Sequence, residues 1–85
     1  MYYVYLLQSV ENERIYTGYT SDLKQRIQKH KSGNVHTTVR MGTVKLIYYE
    51  AFADKRDAIR REKYLKTTQG KRMIKILLKY SLLKI

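Results

Sequence analysis

Eighty-five residues suffice for one domain and leave no room for a second core, so any site must lie on a surface or in a shallow groove. The absence of cysteine excludes disulfides, thiolate zinc sites and cysteine nucleophiles, and no apolar run approaches the ~20 residues of a membrane span. Eighteen Lys and Arg against seven Asp and Glu give a formal charge of +11, which points to nucleic acid as partner, with a merely solubilising basic surface as the plain alternative.

The N-terminal run MYYVYLLQS lacks the basic stretch and small-residue cleavage site of a signal peptide, so a cytoplasmic protein is expected. Within it, YYVYLLQ (2–8) reads as a buried strand of aromatic, β-branched and aliphatic residues. SVENE breaks the run and RIYTGYT (14–20) reads as a second strand, close enough for an antiparallel hairpin. A four-residue loop at Ser9–Asn12 would pair Gln8 with Glu13 and set Tyr5 opposite Tyr16 on one face of the sheet.

A helix is predicted from about 22 to 31, with Ser21 as its N-cap, Asp22 near its positive end, and Leu23 and Ile27 at i, i+4. Gly33 is a natural stop. Arg26 and His30 share a face, and an Asp22–Arg26 surface pair is the plain reading of that face. Residues 33–43 carry two glycines and little periodicity, a long loop for so small a chain. VKLIYYEAF (44–52) reads as a third strand, apolar on both faces and so expected at the centre of the sheet. Asp54 caps a second helix over roughly 55–66, and a third follows over 71–84, apolar at Met73, Ile74, Leu77, Leu78, Ile76 and Tyr80. The basic and apolar character of that last stretch keeps a membrane-surface or protein-partner module as a third reading. The order ββαβαα implies an α/β fold in which helices flank a small, mainly antiparallel three-stranded sheet.

Winding the second helix at about 100° per residue puts Glu62 inside the apolar arc of Ala58, Leu65 and Ile59. An unpaired carboxylate there would cost several kcal/mol. Either an arginine or tyrosine pairs with it, or it binds a metal at the edge of the core. Together with the first helix this suggests phosphodiester hydrolysis, which needs an activated water, charge neutralisation and help for the leaving oxygen. Arg26 can hold non-bridging oxygens in its fork, Glu62 can hold Mg²⁺, and Tyr5 or His30 can take a proton from water. Arg40, Lys66 and Lys71 are candidate phosphate contacts because they should lie near the loop and the Glu62 helix.

YVY at 3–5, YTG at 16–18, the following YTSDLKQRIQKH and the later DAIRREKYLK together resemble the GIY-YIG nuclease superfamily, in particular its short stand-alone bacterial branch. The resemblance spans nearly the whole chain as one nuclease domain over residues 1–85. It implies that Tyr5 belongs to the first tripeptide and Tyr16 and Gly18 to the second, that Arg26 is the catalytic arginine with His30 its accessory partner, and that Glu62 is the single carboxylate ligand of one Mg²⁺ or Mn²⁺ ion. Tyr3, Leu6 and Thr17 depart from the family pattern without removing a reactive group. The implied activity is divalent-metal-dependent, structure-specific cleavage of DNA by a monomer, in repair or recombination. The missing DNA-binding domain leaves room for a partner protein that supplies specificity. A non-catalytic basic nucleic-acid-binding module is the alternative.

Overall fold

The computed structural model of the chain describes residues 1–33, 35, 39 and 41–83. Among them are strands β1 (Tyr2–Ser9), β2 (Ile15–Thr20) and β3 (Val44–Phe52), and helices α1 (Leu23–Lys31), α2 (Lys55–Leu65) and α3 (Thr68–Leu77). Their chain order is ββαβαα, and the sheet is antiparallel throughout in the spatial order β2-β1-β3.

The central strand is therefore β1, and β3 lies at an edge, contrary to the expectation from its composition. The reason is in the side chains. β1 carries an unbroken run of buried residues from Val4 to Ser9, which only a strand covered on both faces and both edges can accommodate. In β3, Lys45, Tyr49 and Ala51 are exposed.

The hairpin has a four-residue loop as expected, but displaced by one position. Ser9 rather than Gln8 closes it, its N–H donating to the Arg14 carbonyl at 2.8 Å. The Ser9 hydroxyl accepts from the N–H groups of Glu11 and Asn12 and donates to the Met41 carbonyl, while Glu13 turns the chain with φ +64°. Moving the loop by one shifts the register by two. Tyr5 therefore pairs with Gly18, and Leu7 with Tyr16. Because the shift is even, Tyr5 and Tyr16 still share a face, now as diagonal neighbours.

Each face of β1 is covered by its own helix layer. Val4 and Leu6 pack with Ala58 and Leu65 of α2, Ile74 of α3, and Leu78. Tyr5 and Leu7 pack on the other side with Val44, Met41, Tyr16, and Leu23 and Ile27 of α1. Asp54 caps α2 by accepting from the Arg56 N–H, as predicted. α3 starts earlier than the pattern suggested, at the Thr67 cap, and ends at Leu77. Ile76, Leu77 and Tyr80 do not join the buried face, being 80%, 47% and 92% exposed. The tight junction between α2 and α3 needs Gly70, where a Cβ would run into the Tyr64 carbonyl and the Leu65 Cα. None of these helices is long and apolar enough to cross a membrane.

Candidate active site

The first helix starts one residue later than its sequence suggested, and that choice aims the rest of it. Asp22, not Ser21, is the N-cap, accepting from the Gln25 N–H at 3.1 Å. Thr20 fixes the entry by exchanging hydrogen bonds with the Asp22 backbone. Leu23 and Ile27 then pack on the sheet, which carries Arg26 and His30 over β1 and β2. Gly33 ends the turn at φ +77°, donating its N–H to the His30 carbonyl.

Arg26 does not form the expected surface pair. Its Nε–H donates to the Tyr5 hydroxyl at 3.3 Å, and among the described residues Asp22 holds no guanidinium. The Tyr5 hydroxyl in turn lies 2.7 Å from His30 Nε2. His30 is buried at 4% exposure, with its ring against both tyrosines at centroid distances of 5.5 Å to Tyr5 and 5.0 Å to Tyr16. The Tyr5 and Tyr16 rings are 6.2 Å apart. Gly18 is what lets this cluster close, because a Cβ there would occupy the space of the Tyr5 ring and hydroxyl. Tyr5, Tyr16, Gly18, Arg26 and His30, from three separate elements, thus meet on the α1 face of the sheet.

The electrostatics distinguish their parts. Burial pushes the Tyr5 phenol up to about 12, against the opposing pull of Arg26. Tyr5 has no solvent-exposed surface, and its hydroxyl is engaged by both Arg26 and His30. His30 is pushed down by burial first and by the Arg26 charge second. His30 Nε2 and the Tyr5 hydroxyl share one hydrogen bond, and the Tyr5 oxygen also accepts from Arg26. The Arg26 guanidinium holds its proton more firmly still, chiefly through the Tyr5 hydrogen bond, with a smaller contribution from Tyr16. Tyr16 is the half-buried member of the pair.

Glu62 sits at the edge of the core, 21% exposed in its side chain, and its partner is Lys66 at 3.2 Å rather than an arginine or tyrosine. The E-x-x-x-K spacing was a readable sign of this pairing. Lys66 and Lys71 line one cleft with Arg14, Ile15, Tyr16 and Met41, so two of the three candidate phosphate contacts gather beside Tyr16. Arg40 lies outside the described residues. No group of three or more His, Asp or Glu side chains forms among the described residues. Glu62 nevertheless fits a hard divalent ion. Lys66 takes only Oε2, and such an ion accepts one carboxylate with waters and phosphate completing its shell.

A second polar cluster was not foreseen. On the opposite face, Arg61 donates from Nε and Nη2 to the two oxygens of Glu50 at 2.9 and 3.0 Å, and the Tyr48 hydroxyl donates to the same carboxylate. Burial alone would raise Glu50, but Arg61 and Tyr48 outweigh it and hold the carboxyl below its usual range. Burial and Glu50 together push Tyr48 up to about 12. Tyr48 and Glu50 at i, i+2 on one strand face were a legible pair, but nothing local pointed to Arg61.

With fold and geometry in place, the family profile described as the GIY-YIG catalytic domain matches residues 1–75. The chain belongs to this family, a nuclease superfamily. Several of its relatives carry the UPF0213 name. One from Clostridium perfringens is 45% identical over 67 residues, covering 78% of this chain and 71% of the relative. Another from Staphylococcus haemolyticus is 36% identical over 78 residues, covering 89% and 93% respectively. The solution NMR structure of a UPF0213 protein from Bacillus halodurans matches with a TM-score of 0.57 at 36% identity, covering 91% of this chain and 85% of that one.

Proposed function

We propose that the chain is a divalent-metal-dependent endonuclease that hydrolyses phosphodiester bonds in DNA, with structure-specific action in repair or recombination. The observation that carries this reading is the Tyr5–Arg26–His30 cluster beside Tyr16, assembled from β1, β2 and α1. Its chemistry divides among the residues. Arg26 holds the non-bridging oxygens of the scissile phosphate and stabilises the charge that grows on them. Tyr16, half-buried next to the guanidinium and lining the open cleft, orients the attacking water through its hydroxyl. Tyr5, bonded to both, holds Arg26 at its angle with His30 behind it. Lys66 and Lys71 bind flanking phosphates in the cleft that Tyr16 shares with them. Glu62 would hold one Mg²⁺ or Mn²⁺, which when bound supplies Lewis-acid polarisation and neutralises phosphate charge. The +11 charge supports a polyanionic substrate; a monomer in the cytoplasm, with specificity supplied by a partner protein, completes the reading.

The test is cleavage of labelled single-stranded, duplex, flap and branched DNA with Mg²⁺ or Mn²⁺, beside Glu62→Gln and Arg26→Ala. Metal-dependent cleavage that disappears in both folded variants is expected. Salt-sensitive binding without turnover on any substrate would overturn the enzyme reading and leave a nucleic-acid-binding module.

A further inference from the structure

Lys66 holds an unusual double position. Its ammonium bonds Glu62 Oε2 at 3.2 Å, yet its side chain is 56% exposed and also lines the cleft with Tyr16, Lys71 and Arg14. The backbone beneath it is pinned, since Lys66 caps α2 with its N–H on the Lys63 and Tyr64 carbonyls and Thr67 N–H bonds Tyr64. Any movement is confined to the flexible stem. An i, i+4 ion pair of this kind contributes only a few tenths of a kcal/mol, so leaving Glu62 is easy. Remaining there is not neutral, because an ammonium and a divalent ion cannot share one carboxylate without mutual repulsion.

We propose that Lys66 is an exchanging cation: its ammonium occupies the Glu62 carboxylate until a divalent ion takes that place, and the displaced ammonium then binds a nucleic-acid phosphate in the Tyr16 cleft. This rests on the reading of Glu62 as the carboxylate that holds the ion. It deepens that reading by making ion and nucleic acid cooperative ligands. The ion releases Lys66 to the phosphate, and the phosphate draws Lys66 away from Glu62. Linkage requires the two effects to be equal, so the oligonucleotide tightens the ion by the same factor as the ion tightens the oligonucleotide. In the absence of nucleic acid, Lys66 keeps Glu62 satisfied, which spares the edge of the core an unpaired carboxylate.

The experiment titrates Mn²⁺ into the full chain, reading free Mn²⁺ by electron paramagnetic resonance, with and without a cleavage-resistant phosphorothioate oligonucleotide. Wild type is compared with Lys66→Met, Lys66→Arg and Glu62→Gln. Without oligonucleotide, Lys66→Met is expected to bind Mn²⁺ on the order of tenfold more tightly than wild type, because a unit charge beside the ion is gone. The oligonucleotide should tighten Mn²⁺ more in wild type than in Lys66→Met, where only direct phosphate ligation of the ion remains. Lys66→Arg, which keeps a cation on the same stem position, should restore weaker, coupled binding. Unchanged Mn²⁺ affinity and intact coupling in Lys66→Met, with Glu62→Gln losing the ion, would overturn the exchange while keeping Glu62 as ligand. Undiminished Mn²⁺ affinity in Glu62→Gln would overturn the metal assignment itself.

Discussion

Replacing Gly18 with alanine probes the closest contact in the site. The added Cβ would coincide with the ring end and hydroxyl of Tyr5, a side chain with no exposed surface that is wedged between Tyr16 and His30. The ring has nowhere to go without parting from His30 and Arg26. Overpacking of this kind costs about 1–3 kcal/mol, and loss of the buried hydrogen bond about 1 more, so a loss of roughly 2–4 kcal/mol is expected. Urea denaturation measures it as a lower midpoint at unchanged slope. The stricter assay is a double-mutant cycle with Tyr5→Leu, whose shorter side chain leaves room for the new methyl. Gly18→Ala should then cost at least about 1 kcal/mol less in the Tyr5→Leu background. A loss under ~0.5 kcal/mol in the otherwise wild-type chain, or the same loss in both backgrounds, would refute the steric argument.

The titrations give further expectations. Tyr5, raised from 10.0 to about 12, stabilises the fold fully below pH 10, and that contribution is lost as pH rises from 10 through 12. The two-unit rise corresponds to about 2–3 kcal/mol, and urea midpoints from pH 8 to 12 should fall more steeply for wild type than for Tyr5→Phe. His30 behaves oppositely, because its folded value is depressed. The unfolded chain takes up its proton first, so stability holds above ~6.5, declines as pH drops through that value, and levels off below the folded value. An NMR titration of the His30 ring should show a midpoint below 6.5; a midpoint above it would contradict the effect of burial and of the Arg26 charge on the ring. Arg61→Ala should cost about 2 kcal/mol in thermal or urea melts by stranding the Glu50 carboxylate, which is 18% exposed in its side chain. The paired change Arg61→Met with Glu50→Gln should recover part of that loss.

What was legible in the sequence divides by how far each determinant reaches. The bounds of β3 and the Asp54 cap of α2 follow from residues within a few positions of one another, and both emerge as expected. The hairpin register does not, because the Ser9 hydroxyl that sets it also binds the Met41 carbonyl, 32 residues away. The placement of β3 failed for a related reason. Which strand is central depends on what covers each edge, and tyrosine satisfies a buried or a half-wet position equally well. In the site, the alignment of Arg26 with His30 was a matter of helical spacing and could be read directly. Their convergence on Tyr5 needed β1 and α1 in contact, and the burial of His30 even more so. The choice of Asp22 over Ser21 as cap turned on Thr20, whose side chain gathers the Asp22 backbone and leaves its carboxylate to the helix.

How Arg26 is held has its own consequence. Arg56, Arg60 and Arg61 are each oriented by a carboxylate. Arg26 is oriented by a phenol that carries no charge. It is oriented without being neutralised, which means that an arriving anion need not first displace a competing acid. Immobilising a long side chain ahead of time also removes part of the entropy that binding would otherwise lose. Because the phenol keeps its proton up to about 12, this readiness is constant across the whole neutral range of pH.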